Sequence, residues 1–209
     1  MSRRNWPRLS PKEALALLPE GWKGRRFLAI DVETTGLDPR NCRVVEIGAL
    51  LFEPSCWPKA GIVAGDTLPS SLESLVDPGS PIPAVVTSIH GIGDRDVAGQ
   101  PGFAELIPEL DRLLGQGEDA AIILAHNAPF DLGFLAREYA EAGRACPANR
   151  VIDSLTFARA AFPELPSHSL PRVVAFLGIP SGRSHRALDD ARAAAAVFMA
   201  SEKQLHAMI

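Results

Sequence analysis

The sequence of 209 residues predicts an α/β domain: a mixed sheet flanked by helices. Three observations carry this. Short apolar runs of strand type come first, at 26–32, 43–52 and 72–76. Stretches of helical period then take over, interrupted by one buried-strand run at 120–125, and strands that give way to alternation with helices point to a mixed sheet. Hydrophobic residues make up 46% of the chain and charged residues 22%, a balance that builds one globular core and excludes disorder.

In chain order, residues 1–25 read as a basic N-terminal extension and 26–209 as the domain proper. Residues 1–26 carry Arg3, Arg4, Arg8, Lys12, Lys23, Arg25 and Arg26 against Glu13 and Glu20, a balance of +5, while the remaining residues sum to −9. The stretch 11–18 predicts a small helix outside the core, ended by Pro19 and Gly21. The run 26–32 (RFLAIDV) is a strand closed by the turn-prone residues 35–39. The run 43–52 (RVVEIGALLF) is a second strand, in which Glu46 implies a partly exposed edge position. Pro58, Gly61 and Gly65 mark 53–71 as a loop or distorted hairpin end, and 72–76 is a short third strand. The stretch 83–89 predicts a helix stopped by Gly91 and Gly93. Apolar residues at 103, 106, 107, 110, 113 and 114 follow the helical period. After the strand at 120–125, helices are expected at 130–142, at 153–161 capped by Asp153 or Ser154, at 169–177 and at 187–206.

Composition narrows the function. Cys42, Cys56 and Cys146 are scattered and form no C-x-x-C pair, which excludes a zinc knuckle or disulfide framework and favours a reducing, cytoplasmic setting. The longest apolar runs fall far short of the ~20 residues of a membrane span, and the start of the chain lacks a secretory apolar core. Overall acidity argues against coating nucleic acid by charge alone, but not against an acidic site that holds cations.

Acidic residues stand where a core prefers apolar ones in three segments. Asp31 and Glu33 are two apart on a strand, so both side chains face one side of it. Two carboxylates aimed together repel unless one keeps its proton or a hard divalent cation such as Mg²⁺ binds; an exposed pair at a turn is the alternative. Asp131 follows His126-Asn127-Ala128-Pro129-Phe130, where Asn127 suits an N-cap and Pro129 the first turn. This places Asp131 at the strand edge where open α/β sheets bind ligands; a simple helix-dipole role is the alternative. His185 precedes Asp190 by five residues, an offset that does not share a helix face. His185 therefore belongs to a loop containing Gly182 and Ser184, and Asp190 to the first turns of the last helix. The apolar face of Leu188, Ala191, Val197 and Phe198 puts Asp190 beside the core and leaves Asp189 solvated.

With Asp31-x-Glu33, Asn127-x-x-Phe130-Asp131 and His185-x-x-x-x-Asp190 in this order, the chain resembles the DEDDh 3'-5' exonucleases, among them the epsilon proofreading subunits of bacterial DNA polymerase III. The resemblance spans about 26–199 and includes DVETTGL (31–37), VVEIGAL (44–50), IHGI (89–92), HNAPFD (126–131), HSL (168–170) and HRALDDA (185–191). It implies a ribonuclease-H-like fold with five strands, the first three an antiparallel meander and those near 120–125 and 151–152 parallel to the first. It implies Mg²⁺ or Mn²⁺, two ions per site, held by Asp31, Glu33, Asp131 and Asp190, with His185 as the base. It also implies that Val32 (by its backbone), Thr34, Thr35, Ile89, His90, Asn127 and Phe130 meet the terminal nucleotide. Phe130 is a stacking candidate, with a core position as the alternative. His126 reads as a structural hydrogen-bonder, Asp153 as an N-cap and His168 as part of a helix start.

The expected activity is metal-dependent hydrolysis at the 3' end of DNA, releasing 5'-mononucleotides in proofreading or repair. An exoribonuclease of the same chemistry, in RNA processing or degradation, is the first alternative. A non-catalytic nucleic-acid-binding or adaptor module is the second, opposed by the cost of keeping four carboxylates together. The expected partner is nucleic acid with a free 3' end, with no membrane. A polymerase or sliding-clamp association is a further option, through residues 204–209.

Overall fold

The structure is a computed structural model that describes residues 9–57, 70–180 and 185–209. Arg3, Arg4 and Arg8 of the basic arm, most of the loop at 53–71, and Gly182 and Ser184 lie outside the described residues.

Five strands, β1 (Phe27–Thr34), β2 (Val44–Phe52), β3 (Ser71–Leu75), β4 (Ile122–Ala125) and β5 (Val151–Asp153), form one sheet in the order β3-β2-β1-β4-β5. The first three are an antiparallel meander, and β4 and β5 extend the sheet in parallel with β1. This is the expected mixed sheet. The helices are α1 (Pro11–Leu15), α2 (Ala84–His90), α3 (Asp94–Val97), α4 (Phe103–Leu114), α5 (Ala128–Glu141), α6 (Ser154–Ala161), α7 (Leu170–Leu177) and α8 (Ala187–Ala207). Among the described residues, no helix is long and apolar enough to cross a membrane.

The period-two rule decides how the layers form. On β1, Phe27 and Ala29 pack with α6, α7 and α8, whereas Leu28, Ile30 and Val32 pack with α4 and α5. Asp31 and Glu33 continue the parity of Phe27 and Ala29, so they lie on the α8 side beyond the last apolar position. On β2 the same side carries Glu46, Gly48, Leu50 and Phe52. Gly48 is required there: a Cβ at this position would stand 2.1 Å from the Leu188 backbone nitrogen. The start of α8 thus rests directly on the strand backbone. Further along α8, alanines at 191 and 193–196 keep the approach close, and Phe198 fills the core against Trp22, Phe27 and Phe157.

Four expectations are corrected. The helix of the basic extension does not lie outside the core: Ala14 is fully buried in the α8-side cluster, and Trp22 packs edge-on against Phe27. Glu46 is neither exposed nor on an edge, since β2 lies between β1 and β3 and the side chain is fully buried. Asp189 is not solvated but pairs with Arg192 at 2.8 Å, each side chain only 14% exposed. Residues 204–209 are not a free peptide, because α8 runs to Ala207 and Leu205 is buried in the core.

The contact at Gly48 makes a testable difference between two glycines. Gly48→Ala should lower stability by about 1–3 kcal/mol through overpacking against a backbone that cannot yield. Gly24→Ala, where an added Cβ meets nothing within 4 Å, should change it little. Thermal unfolding of the two variants checks this.

Candidate active site

The C-terminal ends of β1 and β4 lie at one edge of the sheet, because the two strands are parallel. A register shift between Glu33 and Thr34 bends the end of β1 there, as bulges beside functional sites do. A cavity of about 690 Å³ opens at this edge, within the ~300–1,000 Å³ range of small-ligand sites. Its lining includes Asp31, Val32, Glu33, Asn127, Phe130, Asp131, His185 and Asp190. The four carboxylates and the imidazole expected from three separate segments therefore share one space. Leu155 and Arg159 of α6 and the start of α7 line it as well.

Each acid is held by its own local device. Asp131, in the first turn of α5, is buried, and its Oδ1 accepts the Val32 N–H at 3.2 Å, tying α5 to β1. Asp190, in the first turn of α8, has Oδ2 accepting the His185 N–H at 3.0 Å. His185 has φ +63°, a left-handed conformation that costs energy for a non-glycine residue. Its ring is half exposed, with Nδ1 3.9 Å from Glu33 Oε1. Ligating atoms of Glu33, His185 and Asp190 come within 4.8 Å of one another, a spacing that could hold a metal ion.

Electrostatics agree with the crowding. Burial, then the charges of Asp131, Asp190, Glu33 and Glu46, push the Asp31 carboxyl well above the ordinary carboxylate range. Glu33 is pushed up to about 7 by burial, Asp190 and Glu46, with Arg186 opposing. Asp131 is raised to about 8, chiefly by burial, against the lowering effect of its backbone hydrogen bonds. Asp190 is raised by burial. Without a cation, such a cluster holds protons.

The second segment is arranged differently from its sequence reading. Asn127 occupies the N-cap position of α5 in a left-handed conformation, φ 75°, and its side chain makes no cap bond. Asparagine tolerates this conformation better than most residues. The Asn127 N–H instead donates to Asp153 Oδ1 at 2.9 Å, while the same oxygen caps α6 by accepting the Leu155 N–H at 3.0 Å. Asp153 is thus the expected N-cap and also a brace for the α5 start. His126 is the expected structural hydrogen-bonder. One ring nitrogen donates to the His168 carbonyl at 2.8 Å, and the other meets Ser154 Oγ at 2.9 Å. His168 in turn reaches the Phe162 carbonyl at 2.9 Å. These bonds hold the connection between α6 and α7 along the cavity rim.

Among the expected nucleotide contacts, Val32, Asn127 and Phe130 line the cavity; Thr34, Thr35, Ile89 and His90 do not. Both threonine side chains are occupied by the turn after β1. Thr34 Oγ1 donates to the Gly36 carbonyl at 2.6 Å, and Thr35 Oγ1 accepts the Arg43 N–H at 3.0 Å. His90 is buried, with Nδ1 accepting the Ile92 N–H at 3.0 Å, whereas Ile89 is exposed. Phe130 is partly buried against Phe134, at 5.0 Å between ring centroids, and still borders the cavity. Sequence reasoning missed Glu46 and Arg186, which pair at 2.6 Å beside the acids. A glutamate inside an apolar run and an arginine next to His185 were the available signals.

Comparison with known proteins fits this geometry. The chain matches the RNase T exonuclease family over residues 28–198. It is 32% identical to the DNA polymerase III subunit epsilon of Treponema pallidum over 174 residues, covering 82% of this chain and 74% of that protein. It is equally 32% identical to the PolC-type DNA polymerase III of Clostridium perfringens over 179 residues, but spans only 11% of that protein. The fold is similar to that of exonuclease X in complex with 5' overhanging duplex DNA, with a TM-score of 0.60 and 23% identity over 85% of this chain and 91% of that one. It is also similar to that of E. coli exonuclease I in complex with a dT13 oligonucleotide, with a TM-score of 0.71 and 19% identity over 88% and 42%. With the match running from β1 into α8 and so across every segment that lines the cavity, the chain belongs to the RNase T exonuclease family.

Proposed function

We propose that the protein is a metal-dependent 3'-5' exonuclease that releases 5'-mononucleotides from DNA, in proofreading or repair. The observation that carries this reading is that Asp31, Glu33, Asp131, Asp190 and His185 line a single cavity. The epsilon relatives favour DNA as the substrate and a polymerase as an associate.

The donor set fits hard divalent cations: carboxylate oxygens dominate it, and burial followed by neighbouring charges raises their pKa values, a cost that a cation relieves. Asp31, Glu33, Asp131 and Asp190 would hold Mg²⁺ or Mn²⁺, two ions per site. Bound there, the ions supply charge neutralisation at the phosphodiester and activation of water. His185 takes the proton of the attacking water. Its half-exposed ring lines the cavity beside Glu33, and imidazole is a common general base. Asp190 orients the His185 backbone through its hydrogen bond. Phe130 borders the space next to the acids, where stacking on a base contributes ~1–3 kcal/mol. Val32 and Asn127 bound the same space with backbone and amide groups.

Three outcomes test the proposal. Digestion of matched 5'-labelled DNA and RNA oligonucleotides with Mg²⁺ should shorten DNA from the 3' end and release 5'-mononucleotides. Chelation should stop the reaction, and Asp31→Asn, Glu33→Gln or Asp190→Asn should reduce it by about 10³-fold or more while leaving circular dichroism unchanged. Full activity in any of the three contradicts the ligand assignment, and faster digestion of RNA contradicts the substrate.

His185→Ala should lower kcat by about 10²–10⁴-fold with little change in KM. Equal loss in both argues against a base.

The raised carboxyls give a signature independent of turnover. Their folded pKa values exceed the unfolded ones, so their contribution to stability is full below about pH 4 and declines as pH rises towards 8. The metal-free protein should therefore lose Tm over that window. Mn²⁺ should restore it far more at pH 8 than at pH 5, on the order of 5–10 °C for a chain of this size. In Asp31→Asn the restoration should largely vanish; a Tm gain from Mn²⁺ that is independent of pH speaks against the cluster as the binding site.

A further inference from the structure

Glu46 is fully buried on the central strand β2, directly opposite Glu33 in the antiparallel register. No role in the proposed reaction accounts for it, and its charge adds to the repulsion on Asp31 and Glu33. Both its oxygens are engaged at one place. Oε1 accepts Arg186 Nε at 2.9 Å and lies 2.6 Å from Arg186 Nη2, a forked contact. Oε2 accepts the Ala187 N–H at 3.0 Å.

Ala187 is the first residue of α8, and Arg186, at the N-cap, has no side-chain cap of its own. Glu46 therefore supplies from a neighbouring strand the acceptor that the first helical N–H lacks. Gly48, two residues along on the same side of β2, removes the side chain that would hold α8 away. The helix start is thus fixed in both height and direction.

His185 and Asp190 depend on that start. His185 is bonded to Arg186 in the chain and takes its left-handed conformation one residue before the anchored position. The Asp190 N–H donates to the Arg186 carbonyl at 3.0 Å, and the Asp190 carboxylate accepts the His185 N–H at 3.0 Å. A shift at Arg186 moves both groups together.

We infer that Glu46 and Arg186 form a positioning pair that sets His185 and Asp190 in the geometry the reaction needs. The inference rests on the exonuclease reading given above. Neither residue lines the cavity, so the pair acts through others. Burying an ion pair is a weak source of stability compared with apolar packing, so its value here is geometric. Arg186 also lies 3.8 Å from Glu73 on β3, which extends the brace to a second strand.

The test separates geometry from stability. Arg186→Met leaves Glu46 buried without its cation, and Tm should fall. The double variant Glu46→Gln with Arg186→Met removes the uncompensated charge, keeps an acceptor for the Ala187 N–H, and should regain Tm relative to Arg186→Met. Assayed where every variant is fully folded, both should show kcat reduced by about 10–100-fold, the cost of misplaced catalytic groups, with KM within about twofold of wild type. Arg186→Lys, which keeps the charge without the fork, should fall between. Mn²⁺ affinity, measured by titration calorimetry without substrate, should weaken in the double variant. A double variant with wild-type kcat and wild-type Mn²⁺ affinity overturns the inference. Failure of the exonuclease reading shows instead as wild-type protein that releases no mononucleotide, and the Mn²⁺ titration then still decides the role of the pair.

Discussion

Repulsion among Asp31, Glu33, Asp131 and Asp190 is the constraint around which the rest of this protein is arranged. Carboxyls brought into one cavity at a sheet edge are raised first by burial and then by neighbouring charges. The surrounding fold has to hold them together against that cost. It does so with elements rigid by their own packing: the central strand, a helix tied to it by the Val32–Asp131 bond, and a long helix embedded in the core through Phe198. A site assembled in this way trades stability for affinity towards cations, a common exchange in catalytic clefts.

Local backbone features serve the same end. Among the described residues, positive φ values outside glycine occur at Asn127 and His185, and both border the cavity. The first is stabilised from outside its own segment, and the second is held within it by the Asp190 carboxylate. Asp153 accepts the Asn127 N–H, while Glu46 anchors the residues that follow His185. The strain is therefore held by contacts between elements together with the His185–Asp190 bond. The rim between α6 and α7 is kept open by the chain of bonds from Ser154 through His126 and His168 to Phe162.

Much of the fold and of the acidic set was legible in the residues. Asp31 and Glu33 follow the two-residue strand period, Asp131 falls in the first turn signalled by Pro129, and the five-residue offset from His185 to Asp190 requires a loop before a helix. Helix limits, such as the start of α5 at Ala128 instead of 130, moved by a turn or less because helix ends are set by weak local preferences. The turn bonds of Thr34 and Thr35 were not legible, because a short motif does not say whether a hydroxyl faces a ligand or closes its own turn.

The one-dimensional pattern by itself determined the class of fold, the order of its elements and the identity of the acids, because periodicity and charge are properties of neighbouring residues. Only the tertiary structure decided that Glu46 is interior, that the helix at 11–15 belongs to the core, and that Gly48 carries the start of α8. Those facts depend on which surfaces meet across more than a hundred residues of chain. An acid in an apolar strand reads as exposed until its distant partner, Arg186, is in place beside it.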